Sequence, residues 1–263
     1  MYRSIAATLA LCGVLVSSPV AWAEVQSKAV TYDDAGTKLT GYLYWDDAVS
    51  GPRPGVLVIH EWWGLNDYAK HRAEMLAGLG YVAFAADMYG DGKVTDKAAQ
   101  AREWMQEVTS DVEAWRGRAA LGLAQLNASG LVDGDKVAAV GYCFGGGTVL
   151  QMAYGGSPVK GVVGFHPALP AAPEESKGKI TARILALHGS ADSFVAPEVL
   201  QNFLAKLDAA GANWEMDIYG GARHGYTNPD AGQYGIPNLK YDAQADARSW
   251  ARMQEFFAEL FSE

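Results

Sequence analysis

The chain has 263 residues, of which 49% are hydrophobic and 19% charged, and its formal net charge at pH 7 is −9. This balance excludes intrinsic disorder, because disordered chains combine low hydrophobicity with high net charge. The length is sufficient for one large domain with its own core. An acidic chain without basic clusters also argues against nucleic acids and anionic membranes as partners.

The first 23 residues have the features of a secretory signal peptide. Arg3 supplies a positive charge, an apolar run covers 5–16, and Ala21-Trp22-Ala23 is a small-x-small cleavage signal. The apolar run is shorter than the roughly 18 residues that span a bilayer, so a transmembrane anchor is the weaker interpretation. We therefore expect cleavage before Glu24, export to a periplasm or to the medium, and a mature domain over 24–263 that does not insert into membranes.

Export makes the cysteine count informative. Cys12 lies in the signal segment, so the mature chain keeps only Cys143 and forms no internal disulfide. A single thiol in an oxidising compartment is either buried and inert or reactive.

Short apolar runs alternate with longer helical patterns along the mature chain. A first hairpin is predicted over 25–31 and 39–44. Continuous apolar runs predict six further strands, over 56–60, 81–86, 137–142, 161–165, 184–188 and 214–219. Helical spacing and capping residues predict helices over 68–79, 111–127, 147–154, 197–210 and 241–261. Strands of this kind alternating with helices predict an α/β fold, with a mostly parallel central sheet and helices on both faces.

The segment 141–146, GYCFGG, follows a predicted strand and leads into a Gly-rich helix. This is the setting of a nucleophile elbow, G-x-S-x-G, with Cys143 in place of serine. Glycines on both sides let the strand and helix approach closely, and N–H groups at the helix N-terminus stabilise a thiolate and a developing oxyanion. A structural cysteine in a tight turn is the alternative. A dinucleotide-binding loop is excluded, because Cys143 stands where G-x-G-x-x-G requires glycine.

Two residues downstream of Cys143 complete the order nucleophile, acid, histidine. Asp192 follows the predicted strand 184–188, and His224 follows the predicted strand 214–219. Both therefore lie in loops at the carboxyl edge of the sheet, where the sites of such folds form. The alternative for Asp192 is a helix N-cap before Pro197, and the alternative for His224 is a loop histidine with a structural hydrogen bond.

A second group of candidates follows the strand 56–60. The segment HEWWG over 60–64 lacks the second histidine of H-E-x-x-H, so no metal site is expected there. Glu61 is expected at the sheet's carboxyl edge in a partly dry pocket, with an exposed loop acid as the alternative. The backbone N–H of Trp62 is a natural second oxyanion donor, since that hole takes one amide from an early strand–helix loop. His60, His188, His166 and His71 are interpreted first as structural, although His166 is also placed to line the pocket.

Five sequence blocks in order are similar to the dienelactone hydrolase family of α/β-hydrolases. They are HEWWGLN over 60–66, ADMYG over 86–90, GYCFGG over 141–146, HGSAD over 188–192 and ARHGY over 222–226. The resemblance covers the mature chain and implies the α/β-hydrolase fold. It also implies Cys143 as nucleophile, Asp192 as acid, His224 as base, and Glu61 as the family's glutamate, which contacts the resting thiol and controls thiolate formation. Phe144 and Trp62 match the oxyanion amides.

The resemblance implies hydrolysis of a carboxylic ester or lactone through an acyl-thioenzyme, without a cofactor. The family's two substrate arginines are absent: Gly90-Asp91-Gly92 and Asn228 occupy those positions, so a neutral or bulky ester is expected rather than dienelactone itself. Trp63, His166 and Tyr89 are the expected substrate contacts. The rivals are a noncatalytic binding protein on the same fold and a thiol redox protein, the latter opposed by the lack of a resolving cysteine. The oligomeric state is left open.

Overall fold

A computed structural model describes residues 24–262, so the predicted signal peptide lies outside the described residues. The described chain contains eight strands, namely β1 Val25–Asp34, β2 Thr37–Asp46, β3 Arg53–Ile59, β4 Val82–Ala86, β5 Val132–Tyr142, β6 Gly161–Phe165, β7 Arg183–Gly189 and β8 Trp214–Tyr219. Its α-helices are α1 Asp67–Gly78, α2 Ala98–Thr109, α3 Val112–Asn127, α4 Phe144–Tyr154, α5 Pro197–Ala210 and α6 Ala243–Ser262. Two short 3-10 helices cover Glu174–Ser176 and Ala231–Tyr234.

The eight strands form one sheet in the order β1-β2-β4-β3-β5-β6-β7-β8. β1 pairs with β2 and β2 with β4 in antiparallel register, whereas β4, β3, β5, β6, β7 and β8 are parallel neighbours. The parallel strands carry apolar residues on both faces, and all four residues over 56–59 are fully buried. The predicted mostly parallel sheet is therefore confirmed, and its continuous apolar runs have the predicted cause.

Helices cover both faces of the sheet. On one face α1 and α6 contribute buried residues such as Leu76 and Phe257, and on the other face α3, α4 and α5 contribute residues such as Leu123, Leu150 and Phe203. Each face has its own apolar cluster, which is the layered arrangement expected when every helix buries one stripe against a sheet. Among the described residues, no helix is long and apolar enough to cross a membrane.

Several helix boundaries differ from the predicted ones for local reasons. Helix α4 begins at Phe144 rather than 147, because the helix follows directly after the turn at Cys143. Helix α6 begins at Ala243 rather than 241, because the Asp242 side chain accepts hydrogen bonds from the N–H groups of Gln244 and Ala245 and acts as the cap. The predicted bounds of α5, with proline in the first turn and left-handed Gly211 after the last, are confirmed.

Candidate active site

Cys143 occupies the turn between β5 and α4, and its backbone is strained. Its φ of 55° and ψ of −113° place a non-glycine residue in the left-handed half of the map. The turn closes tightly only because its neighbours have no side chain: a Cβ at Gly141 would lie 2.0 Å from the carbonyl oxygen of Gly145. A Cβ at Gly145 would lie 2.3 Å from the carbonyl oxygen of Ile59. The glycines therefore allow α4 to pack closely against β3 and β5, and this packing holds the thiol at the carboxyl edge of the sheet.

Asp192 and His224 meet across the loops that follow β7 and β8. Asp192 Oδ2 lies 2.7 Å from His224 Nδ1, although the two residues are 32 positions apart in the chain. The other carboxylate oxygen accepts from the Phe194 N–H and from Asn238 Nδ2, each at 2.9 Å. Burial opposes ionisation, but the hydrogen bonds from His224, Asn238 and the Phe194 amide lower the pKa of Asp192 to about 2.

The helix-cap interpretation of Asp192 is wrong. Helix α5 is preceded by Ala196, which makes no side-chain cap hydrogen bond, and Asp192 makes its contacts to the His224 loop instead. The carboxylate therefore holds the imidazole in one orientation.

The imidazole of His224 is buried, and its two nitrogens have different surroundings. Nδ1 is taken by Asp192, and Nε2 has no hydrogen-bond partner of standard geometry within residues 24–262. Burial disfavours the charged ring, yet the charge of the Cys143 thiolate and the Asp192 carboxylate together raise the pKa of His224 to about 10. His224 therefore holds its proton more firmly than a free imidazole does.

Glu61 is buried in the loop after β3 and is bound to Asn228. Its Oε2 accepts from Asn228 Nδ2 at 2.7 Å. Burial raises the pKa of Glu61 to about 7, while the Asn228 hydrogen bond and the charges of His224 and Arg72 act in the opposite direction. Among residues 24–262 no hydrogen bond joins Glu61 to Cys143, so the resting contact with the thiol that the resemblance implies is replaced by the contact with Asn228.

A buried polar network supports the loop after β8, which carries His224 and Asn228. Thr227 Oγ1 contacts His166 Nε2 at 2.7 Å and the Tyr68 hydroxyl at 2.6 Å. Arg72 donates to the Thr227 carbonyl oxygen and, at 2.6 Å, to the Asp246 carboxylate. Because each member is bound to another element, the network fixes the loop that carries His224 and Asn228.

Cys143 and His224 open into a cavity of about 510 Å³. Its walls are mostly apolar, formed chiefly by Trp62, Met105, Leu169, Phe194, Val195, Val199 and Ile236. Phe194 is 51% exposed and its ring centroid lies 5.0 Å from that of His224, edge to face. Among the described residues of this lining, Arg102 is the only one with a permanently charged side chain. A larger polar cavity of about 700 Å³ reaches Asn228 but contains neither Cys143 nor His224.

Of the other residues predicted for the site, two line the cavity and three are buried outside its lining. Trp62 and Phe144 line the cavity, and neither of their backbone N–H groups has a hydrogen-bond acceptor in the described part of the chain. Trp63, predicted to contact substrate, is instead buried behind the wall and stacks on Tyr234 with centroids 3.8 Å apart.

Two further predicted substrate contacts also lie behind the cavity wall. His166 is fully buried, and its imidazole packs on the rings of His224 and Tyr226. Tyr89 is 3% exposed and donates its hydroxyl to the Trp62 carbonyl oxygen at 3.0 Å. Both support residues that line the cavity rather than lining it themselves.

His60 has the structural role predicted for it. The Met88 N–H donates to its Nε2 at 3.2 Å, so the ring proton is on Nδ1, which contacts the Glu61 carbonyl oxygen. Burial lowers the pKa of His60, and the neutral ring therefore links two loops at the edge of the sheet.

The sequence did not predict helix α2 or the hydrogen bonds of Asn228 and Asn238. Ala98, Arg102 and Met105 of α2 line the cavity. The helical spacing of Ala98, Ala101, Met105 and Val108 was the available signal, but Lys97 before it makes no capping hydrogen bond. Asn228 and Asn238 had no local signal, since their partners are 167 and 46 residues away. Within the described residues, no group of three or more His, Cys, Asp or Glu is arranged to hold a metal ion.

A parallel sheet with an elbow cysteine, and an acid and a histidine in the loops after β7 and β8, defines an α/β-hydrolase. The family model of the dienelactone hydrolase family matches residues 39–261, and the chain belongs to that family. It is 42% identical to a solved dienelactone hydrolase-like promiscuous phosphotriesterase from metagenomic libraries, covering 90% of this chain and 98% of that one, with a TM-score of 0.87.

Curated relatives are more distant. A candidate carboxymethylenebutenolidase of Saccharolobus solfataricus is 26% identical, over 87% of this chain and 97% of that protein. A Bradyrhizobium protein named as a probable 2-oxo-3-(5-oxofuran-2-ylidene)propanoate lactonase is 28% identical, over 68% of this chain and 75% of that one. These relatives agree with the hydrolase family that the five sequence blocks predicted.

Proposed function

We propose that this protein hydrolyses carboxylic esters or lactones with Cys143 as nucleophile, His224 as proton carrier, Asp192 as its orienting acid and Glu61 as an accessory carboxylate. The observation that carries the proposal is the alignment of a strained elbow cysteine with a histidine whose other nitrogen is fixed by a buried aspartate at 2.7 Å. The pKa of His224 also reflects a side-chain hydrogen bond with Cys143, a contact that a purely structural cysteine does not require.

The acylation step starts from the thiolate–imidazolium pair. The Cys143 sulfur attacks the carbonyl carbon, a C–S bond forms, and the carbonyl electron pair moves to oxygen. The amides of Trp62 and Phe144 would donate to that oxyanion, and the lack of an acceptor for either amide within residues 24–262 supports this role. As the C–O bond breaks, His224 Nε2 gives its proton to the departing alkoxide, and an acyl-thioenzyme remains.

Deacylation reverses these roles. His224, now neutral, takes a proton from water while the water oxygen attacks the thioester carbon. The C–S bond then breaks, the acid product leaves, and the thiolate faces an imidazolium again. Asp192 keeps the ring in the tautomer that this cycle needs, because Nδ1 is the ring nitrogen that donates to its carboxylate.

Glu61 acts on this pair through charge. Its ionised form and the imidazolium of His224 stabilise each other, since the His224 charge is one cause that opposes the raised pKa of Glu61. An ionised Glu61 therefore favours the proton on His224. We infer that activity rises as Glu61 ionises, at a pH near 7.

The cavity favours a neutral, apolar substrate. Aromatic and aliphatic side chains form most of its lining, and 510 Å³ is space for an aryl or branched acyl group. Asn228 stands at the position of one family arginine and is bound to Glu61, so it offers no cation to a substrate carboxylate. Esters without an anionic group are therefore the proposed class.

The test is hydrolysis of a neutral p-nitrophenyl ester by the protein over 24–263 and by Cys143→Ala, with folding checked by circular dichroism. We expect at least a thousandfold loss of kcat/KM in the folded variant. Asp208→Asn is a matched control, because its exposed carboxylate bonds Trp214 of β8 and lies outside the cavity lining, and this variant should keep full activity. Equal activity of Cys143→Ala and the parent would contradict the proposal, and no activity in either would favour a binding protein.

A neutral phosphotriester is a second candidate substrate. The metagenomic relative named as a promiscuous phosphotriesterase is 42% identical to this chain, and the apolar cavity here suits an uncharged aryl phosphotriester as well as an aryl ester. Attack of Cys143 on phosphorus with loss of an aryloxide needs the same oxyanion donors. Release of p-nitrophenol from a dialkyl p-nitrophenyl phosphate, abolished in Cys143→Ala, is the expected result.

A further inference from the structure

Asn228 is bound so that its amide has one possible orientation. Its side-chain oxygen accepts from the Asp230 N–H at 2.9 Å, so its NH₂ group faces Glu61 Oε2 at 2.7 Å. Both residues are nearly inaccessible, Asn228 being 1% and Glu61 3% exposed. A buried NH₂ group can only donate, so the carboxyl oxygen opposite it is required to accept.

The position of Asn228 links this hydrogen bond to the reacting pair. Asn228 lies on the same loop as His224, and its own N–H donates to the carbonyl oxygen of Gly225 at 2.9 Å. A Cβ built on Gly225 would lie 3.8 Å from Glu61 Oε1, so the carboxylate packs against the residue that follows His224. The Asn228 turn therefore holds Glu61 and the His224 loop together.

We propose that Asn228 is a positioning residue of this hydrolase: by donating to Glu61 it holds that side chain as a carboxylate next to the His224 loop, and so sets the pH at which the enzyme becomes active. The inference rests on the proposed ester hydrolysis and adds a residue to it. Within residues 24–262, Asn228 neither lines the apolar cavity nor bonds Cys143, so its effect is transmitted by Glu61.

Several other groups face Glu61 and act on the same equilibrium. Arg72 of α1 and His224 favour its ionised form. Tyr68 of α1, Tyr142 at the end of β5 and Tyr234 of the second 3-10 helix also lie within its electrostatic reach, and all three are neutral at physiological pH because burial raises the pKa of each. Asn228 is the hydrogen-bond donor to the carboxylate among residues 24–262.

The first experiment compares pH profiles of kcat/KM for a neutral p-nitrophenyl ester. Asn228→Asp keeps an acceptor for the Asp230 N–H and nearly the same volume, but it places a second carboxyl group against Glu61. Two carboxyl groups in contact do not both ionise readily, so the acid limb should move upward by more than about one pH unit. Asn228→Ala removes the donor without adding a charge and should move the limb upward by about one unit.

The same substitutions in a Glu61→Gln background separate positioning from loop structure. If Asn228 acts through the carboxylate, Asn228→Ala should change the profile of Glu61→Gln by less than about twofold at any pH, because that background has no carboxylate for the amide to hold. An acid limb that stays in place in Asn228→Asp, or that moves equally in both backgrounds, would overturn the inference.

Infrared titration keeps the inference testable if the Asn228 variants fail to fold or if no ester is hydrolysed. The carboxyl band lost in Glu61→Gln identifies Glu61 in the unaltered protein, and this readout needs no activity. A band that has converted to carboxylate by about pH 8 supports the inference, because the positioned Glu61 side chain has to be ionised there. A band that stays protonated above pH 8 overturns it, whereas a failed Cys143→Ala test alone overturns only the proposed reaction.

Discussion

Replacing Asp192 by asparagine tests the part of the site that the geometry defines best. The introduced amide would keep an oxygen for the Phe194 N–H and Asn238, but its NH₂ group would face His224 Nδ1, which the native carboxylate contacts at 2.7 Å. The ring would then have to accept at Nδ1, and its proton would move to Nε2 in the neutral form. The negative charge that stabilises the imidazolium would also be absent.

The size of this effect follows from Coulomb's law. The centres of charge of a carboxylate and an imidazolium in hydrogen-bond contact are roughly 4 Å apart, so at an effective dielectric constant of about 20 the lost interaction is about 4 kcal/mol. That corresponds to a loss of about a thousandfold in kcat/KM. Because Asp192 is one of the causes that raise the pKa of His224, this pKa should fall in the variant, and an alkaline limb of the pH profile should move to lower pH.

The assay is the pH profile of p-nitrophenyl ester hydrolysis by the parent, Asp192→Asn and Asp208→Asn, each checked for its melting temperature. Asp208→Asn should match the parent. An Asp192→Asn protein that folds, retains kcat/KM within threefold and shows the parent's alkaline limb would refute the assignment of Asp192 to the imidazole.

Three further expectations concern the fold, the cavity and export. Gly145→Ala should destabilise the protein by about 3 kcal/mol, because its Cβ would lie 2.3 Å from the Ile59 carbonyl oxygen. Thermal melting checks this against Gly117→Ala, a substitution at an exposed helical position with open space. The Gly117→Ala protein should melt at the same or a higher temperature than the parent. Phe194→Ala should lower kcat/KM about tenfold for a bulky aryl ester and much less for an acetate, because the half-exposed ring lines the cavity beside His224. Equal losses for both esters would contradict a specificity role. N-terminal sequencing of the protein recovered outside the cytoplasm should begin at Glu24, and an intact Met1 there would contradict the predicted cleavage.

The sequence was sufficient for the sheet and for the loops that carry Cys143, Asp192 and His224. Apolar runs identified the parallel strands because those strands are buried on both faces, and the carboxyl ends of parallel strands meet at one edge. The antiparallel pairing of β2 with β4 and the strand order depend on contacts between distant segments, which periodicity does not report.

The walls and the polar support of the site were harder to predict. His166 is predicted to contact substrate because it lies at a strand end, and Trp63 because large rings in a loop often form a pocket wall. Neither a strand end nor a loop position determines which way the ring turns. Trp63 stacks on Tyr234, a residue 171 positions later whose place is set by a short 3-10 helix. The contact of Asn228 with Glu61 joins two residues 167 positions apart, whose loops are brought together only when the whole sheet has formed.

The negative charge of the buried carboxylates at the site is balanced in part by a buried cation, Arg72 of α1. With Glu61 ionised, the buried cluster contains the carboxylates of Glu61 and Asp192 against the imidazolium of His224. Arg72 is only 4% exposed, and its charge is one of the causes that oppose the raised pKa of Glu61. Its guanidinium donates to the Thr227 carbonyl oxygen, one residue before Asn228, and is itself paired with Asp246 at 2.6 Å. A buried cation of this kind is expensive unless it is paired, and Asp246 provides that pairing. The same residue therefore stabilises the loop that holds Asn228 and favours the carboxylate that Asn228 binds, so positioning and electrostatics depend on one side chain of α1.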